Sequence, residues 1–270
     1  MIPSAFEYER PETVADAVAL LANHDDARVL AGGHSLLPLM KLRLAAPELL
    51  VDLAGIPTLR GIGETANQVA VGALTRHAEV AASDIVRRGC PILAAAAGGI
   101  GDRQVRARGT IGGALANADP HADLPAVLLA LDGDVTAEGP DGTRTIPASE
   151  LYVDYLTTSL GSDEILTEVH VPKTPNGAYV KFNRRAQDWA IVGVAAVVNG
   201  SDARIAITGV GPTPVRATAA EEAYATGGAE AAAAVAAEGL SPPSDTAASA
   251  EYRAHLAGVL TRRALEQAAG

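Results

Sequence analysis

Apolar positions recur with different spacings along this chain, and each spacing predicts a different element. Between 13 and 23, Val14, Ala17, Val18 and Leu21 fall on one side of a helical repeat, with Thr13 placed as the cap and Asp16 at or near the capping-box position. A short unbroken apolar run at 27–31 enters Gly32-Gly33 as a buried strand would. Ser35 stands where it would cap a helix over 36–44, with Pro38 tolerated in the first turn, and 49–53 reads as a second strand. Strand, glycine turn, helix and strand make a compact βαβ unit, and Gly55 and Pro57 punctuate its end, so a first subdomain is expected over 1–57.

A second subdomain is expected over 58–172. It opens with a strand at 69–72 and a helix from Thr75 to Val80, with Glu79 in its early turns. Pro91 begins an alanine-rich helix over 92–97 that ends at Gly98-Gly99. The run 124–131 reads as a buried helix with Pro125 in its first turn and Asp132-Gly133 as its stop. Strands at 135–137 and 143–146 flank Asp141-Gly142, a hairpin signal, and 164–171 alternates as a strand up to Pro172. Over 173–270 the spacing changes again. Runs at 179–183, 193–199 and 204–210 are placed like an antiparallel meander with a turn at Gly200-Ser201-Asp202. Helices are predicted over 217–226, 229–238 and 251–269, with the proline-rich link 241–245 mobile or extended. The fold class expected is α+β.

Composition narrows the function. The chain has 270 residues, 48% of them hydrophobic, enough to bury a sizeable core. Its longest apolar or small run, 190–198, is far short of a bilayer span, and the first residues lack the pattern of a signal peptide, so no transmembrane segment and a cytoplasmic location are expected. A net charge of −11 and an aromatic content of 3% argue against nucleic acid as a partner. The single cysteine, Cys90, excludes an intrachain disulfide and a cysteine-ligated iron–sulfur cluster within this chain, and its ordinary role is that of a small buried hydrophobe. Six scattered histidines lack ligand spacing, so no metal site is expected.

Candidate chemistry concentrates in two glycine turns. Ala31-Gly32-Gly33-His34-Ser35 is one; Gly109, Gly112 and Gly113 around Thr110 and Ile111 form the other, just after Arg103, Arg106 and Arg108, which are solvated or paired surface charges or part of the site. Residues without a Cβ let the main chain turn tightly against a ligand, and converging N–H groups suit an anion. Two such turns suit the two phosphates of a dinucleotide. The sequence has neither G-x-G-x-x-G after a first strand nor G-x-x-x-x-G-K-[ST], so the phosphate would be held in another way.

Three blocks, LAGGHSLLPLMKLRL at 30–44, DRQVRARGTIGGALANADPHADLP at 102–125, and 163–195 with Pro172, Lys181 and AIVGVA, together resemble the medium, FAD-binding subunit of molybdenum hydroxylases, the carbon monoxide dehydrogenase and xanthine dehydrogenase flavin-domain family. The resemblance runs over essentially the whole chain. It implies a two-part FAD-binding domain, the N-terminal βαβ unit plus a larger α/β subdomain, and a C-terminal subdomain of a three-stranded antiparallel sheet with helices. Carried over, the turns Ala31, Gly32, Gly33, His34, Ser35 and Thr110, Gly112, Gly113 would hold the pyrophosphate. Asn117 and Asp123 would fix polar parts of FAD, and Leu30, Leu36, Ile100 and Leu166 would line it. Lys181 would lie near the flavin ring, where a positive charge favours the anionic reduced form.

Simpler roles compete with these. Asp123 could cap the helix that follows, Lys181 could be a strand-surface charge, Leu166 is most easily core, and Trp189 either packs in the core or stacks on the flavin. His34 offers its backbone or, less simply, a base. The chain departs from the commonest family pattern at Ala107 and Ala114, where asparagine is frequent, and at Asp119, where a small residue is usual.

The function implied is that of an electron-exit subunit without catalytic side chains of its own. A large partner with a molybdenum cofactor would oxidise the substrate, and a small [2Fe–2S] partner would relay electrons to FAD here, which would pass them to quinone, NAD or oxygen. Two heterotrimers are expected to pair. A self-contained flavin oxidoreductase, with His34 or His121 as proton acceptor, and a non-catalytic FAD-binding assembly module are the alternatives.

Overall fold

Residues 2–270 are described by a computed structural model, in which three hydrophobic cores follow one another along the chain. The first is built on β1 (Glu7–Glu9), α1 (Val14–Asn23), β2 (Ala27–Leu30), α2 (Leu36–Leu42) and β3 (Leu49–Asp52). Both β1 and β2 pair with β3 in parallel, giving the order β1-β3-β2. Thr13 accepts the Asp16 N–H at 3.1 Å, and Ala17, Val18 and Leu21 of α1 are buried as the helical spacing requires. Ser35 precedes α2 without a side-chain capping bond, because its own backbone is already helical.

The second unit contains β4 (Ile62–Glu64), β5 (Gln68–Gly72), α3 (His77–Ala82), α4 (Asp84–Gly89), α5 (Pro91–Gly98), α6 (Arg103–Arg106), α7 (Ile111–Ala116) and α8 (Asp123–Ala130). These are followed by β6 (Asp134–Gly139), β7 (Gly142–Pro147), α9 (Ala148–Leu151), the hairpin β8 (Tyr152–Asp154) and β9 (Thr157–Thr158), and β10 (Ile165–Pro172). Five strands form an antiparallel sheet in the order β4-β5-β10-β6-β7, with β6 and β7 joined through Asp141-Gly142. Thr75 does not open α3. Its hydroxyl donates to Gly61 O at 3.0 Å, and Glu79 instead reaches back to the Arg76 N–H at 2.8 Å. Cys90 is fully buried, and burial pushes its thiol up to about 12, so it is the inert packing residue expected.

The third unit is β11 (Gly177–Phe182), β12 (Val192–Asn199), β13 (Asp202–Thr208), β14 (Val215–Arg216), α10 (Thr218–Val235) and α11 (Ala250–Ala269). Its antiparallel sheet runs β11-β12-β13-β14, one short strand more than the meander predicted. Gly228, at φ 69°, breaks α10 into the two helical pieces expected on either side of it. β12 is apolar at almost every position because both its faces are covered. Val192, Val194 and Ala196 belong to the third core, while Ala195 and Val197 join the second, where α8 is buried along its whole length. No helix among the described residues is long and apolar enough to cross a membrane.

Candidate cofactor site

The two glycine turns are far apart in sequence and meet in space. A Cβ on Gly32 would collide with Arg108 O and lie 2.8 Å from the Gly109 Cα, and one on Gly113 would lie 2.7 Å from Thr110 Oγ1 and 3.6 Å from the Ala31 Cβ. Their seam forms one wall of a cavity of about 710 Å³, a size usual for cofactor sites.

The turns contribute different things. In the first, Gly33 takes φ 75°, and the N–H groups of Gly33, His34, Ser35 and Leu36 have no acceptor among the described residues. These are four donors at the mouth of a helix, as an anion requires. In the second, the expected convergence of N–H groups does not occur. Ile111 donates to Thr75 O at 3.0 Å, Gly112 to Ala73 O at 2.9 Å and Gly113 to Thr110 Oγ1 at 3.2 Å. Over 109–114 only the Thr110 N–H makes no bond to the described residues. The second turn is stitched to 73–77 through main-chain bonds around one antiparallel bridge, Arg76 with Thr110, and what it offers a ligand is clearance. Gly112 faces away from the cavity altogether, since a Cβ there would lie 2.5 Å from the Ala73 Cβ.

The structure brings most of the residues expected from sequence to this cavity: Ala31 to Leu36, Ile100, Thr110, Gly113, Asn117, Asp123, Lys181 and Trp189 all line it. Leu30 and Leu166 do not. Leu30 lies behind the first turn against Gly33, and Leu166 belongs to the second core. His121 is also elsewhere, with Nδ1 3.0 Å from Ala190 O, so it is not placed as a proton acceptor for a ligand. Trp189 is not a core residue; at 58% exposure it stands at the edge of the cavity, and no aromatic side chain among the described residues packs on it.

The electrostatics are those of paired charges. Asp123 is 7% exposed and heads α8, where Ala122 is the cap. Its carboxylate accepts from Lys181 Nζ at 2.8 Å and from the Tyr179 hydroxyl at 2.5 Å, and Lys181 also donates to Gly99 O at 2.9 Å. Burial raises the Asp123 carboxyl above its ordinary value, while the lysine and the phenol pull it the other way. Tyr179 is held well above the usual phenol range by burial and then by Asp123, so it stays a donor. Asp119, one of the departures noted from sequence, accepts the His121 N–H at 2.8 Å. Glu164, on the far wall, is kept ionised by Arg144 at 2.6 Å and by the Gly161 N–H.

Sequence reasoning missed His77. It is 4% exposed, lines the cavity, and packs its ring against Gly109 at the seam. Burial, then His34 and Arg106, lower it to about 4, so it is neutral at physiological pH. A lone histidine at the start of a short helix carries no signal in sequence. The wall formed by Thr158, at the end of β9, and by Leu160 and Ser162 beyond it was missed too, since a short polar stretch after a hairpin carries no more signal. No cluster of side chains suited to a metal occurs among the described residues.

Comparison with known proteins agrees with this arrangement. Residues 4–174 match the FAD binding domain in molybdopterin dehydrogenase, and 177–268 match the CO dehydrogenase flavoprotein C-terminal domain. The chain is 42% identical over 282 residues to the carbon monoxide dehydrogenase medium chain of Hydrogenophaga pseudoflava, covering 99% of this chain and 98% of that one. It is 41% identical to the alpha subunit of the 6-hydroxypseudooxynicotine dehydrogenase complex of Paenarthrobacter nicotinovorans, covering 99% and 96%. Among solved structures, carbon monoxide dehydrogenase from Hydrogenophaga pseudoflava superposes with a TM-score of 0.95 at 43% identity, covering 99% of this chain and 98% of that one.

Proposed function

Because the chain belongs to the FAD-binding medium subunits of the molybdenum hydroxylases, we propose that it is the subunit through which electrons leave such an enzyme. They arrive from the [2Fe–2S] clusters of a small partner, after a large molybdenum-cofactor partner has oxidised the substrate. The observation that carries the reading is the meeting of two glycine turns over a cavity with four uncommitted N–H donors. The residues present fit FAD: the donors suit a diphosphate, Gly32 and Gly113 leave room that a Cβ would fill, and residues of all three units of the chain line the cavity.

FAD, when bound, supplies the two-electron chemistry of its ring. The chain's own residues position and enclose. Gly33 to Leu36 hold the diphosphate by main-chain donors, which keeps a −11 chain from needing free cations there. Lys181 and Asp123 act as a neutral pair that offers polar contact without a large net field. Trp189 stands where it can cover a planar ring at the cavity edge, which supports stacking. The single cysteine, too few for a cluster, supports iron held by another polypeptide. Two heterotrimers pair, and the assembly works in the cytoplasm. The substrate is then bound by the large partner.

The test is an absorption spectrum of the complex recovered by pulling this chain from its native cell. Flavin bands with broad iron–sulfur absorption are expected. Flavin without iron would instead indicate a self-contained oxidoreductase, and no flavin after adding FAD would remove the cofactor from the site.

A further inference from the structure

Among the described residues, His77 is the one buried polar side chain of the cavity wall left without any partner. Its Nδ1 is buried and unbonded. Its Nε2 has no partner either but is not sealed from the cavity, and it sits at the seam, within 2.9 Å of where a Gly109 Cβ would be. A buried N–H with no acceptor is rarer and costlier than a buried lone pair. The tautomer that fits is therefore the one with hydrogen on Nε2, which aims a donor into the cavity. The ring stays neutral because it is buried and has His34 and Arg106 nearby.

The second turn makes this donor necessary. Its N–H groups, apart from that of Thr110, are spent on Thr75, Ala73 and the Thr110 hydroxyl, so the main chain on that side has little left for an anion. Of the cations that line the cavity, Lys181 is already paired with Asp123 and Arg28, on the first turn's side, donates to Ala27 O at 2.8 Å, while Arg106 nearby turns back to Ile100 O and Gly101 O at 2.8 and 3.0 Å. The first turn thus brings four donors to one side of the seam, and the opposite side has Thr110 and the imidazole.

We propose that His77 donates through Nε2 to the diphosphate of FAD, completing from the second turn's side the cradle begun by Gly33 to Leu36. This inference rests on the cofactor reading above. His77 acts by direct contact and has no part in proton transfer.

The experiment uses the whole complex, stripped of flavin and titrated with FAD, in wild type, His77→Leu and His77→Gln. Leucine keeps the volume and removes the donor, so FAD affinity should fall about ten- to a hundredfold, the range for a hydrogen bond to a charged group. Glutamine places an amide near the Nε2 position and should recover most of that loss. The phosphorus resonances of bound FAD should shift between wild type and His77→Gln. Equal affinity in wild type and His77→Leu, or equal loss in both variants with unmoved phosphorus resonances, overturns the assignment and leaves His77 as a packing wedge under Gly109. A wild-type complex that regains no flavin overturns the cofactor reading itself, and His77 with it.

Discussion

At the scale of single residues, Gly112 and Gly113 are neighbours in sequence with opposite duties. Gly112 presses on Ala73, main chain and side chain alike, so Gly112→Ala must separate α7 from the end of β5. It should cost about 2 kcal/mol of stability, as overpacking does, seen as a lower urea midpoint. Gly113 faces Thr110 Oγ1 and Ala31 across the seam. Gly113→Val should leave the fold largely formed and weaken FAD binding at least tenfold by titration. If the two substitutions show the reverse pattern, the facing of the two glycines is misassigned.

At the scale of elements, the segment that carries Trp189 is held from behind. Arg253 of α11 is 1% exposed; its Nη1 donates to Ile191 O and, at 3.1 Å, to Gly209 O, and its Nη2 pairs with Asp245 at 2.7 Å. Asp245 loses to partial burial but gains more from the Ala248 and Ala247 N–H groups and Arg253, and it settles at about 2. The link 241–245, expected as mobile or extended, is therefore tied down at its last residue. Arg253→Met strands two buried carbonyls, and about 3 kcal/mol of unfolding free energy should be lost. Asp245→Asn breaks only a partly exposed pair and should cost about 1 kcal/mol or less. Equal losses in chemical denaturation would show that the carbonyls of Ile191 and Gly209 do not depend on the arginine.

At the scale of the whole molecule, Asp123, Tyr179 and Lys181 join the second unit to the third across the cavity. In Lys181→Ala the buried carboxylate loses its counter-ion, and about 3 kcal/mol should go with it. The pH dependence has a definite sign. Asp123 already titrates above its unfolded value, and the variant raises it further, so the folded state binds the extra proton. The variant should be closest to wild type at pH 5 and should fall behind as pH rises to 8. Adding Asp123→Asn should abolish that slope in urea midpoints measured across the range, and a slope that persists would place its origin in another group.

Much of this was legible in the sequence, because it depends on local spacing. The helical repeat of α1, the hairpin at Asp141-Gly142, the nearly all-apolar β12 and the two glycine turns announce themselves through period, turn chemistry and the lack of a Cβ. The edge strands β1 and β4 and the four-residue α6 and α9 did not, since such short pieces gain their stability from neighbours rather than from their own residues. The sequence alone determined that two glycine turns exist and that one cysteine cannot hold a cluster. Only the tertiary structure decided that the turns face each other, that one gives donors and the other room, and that Lys181 is already paired. Those facts depend on which main-chain groups are consumed by contacts between segments far apart in the chain, such as Gly112 with Ala73 and Lys181 with Asp123, and no local pattern encodes how such a group is spent.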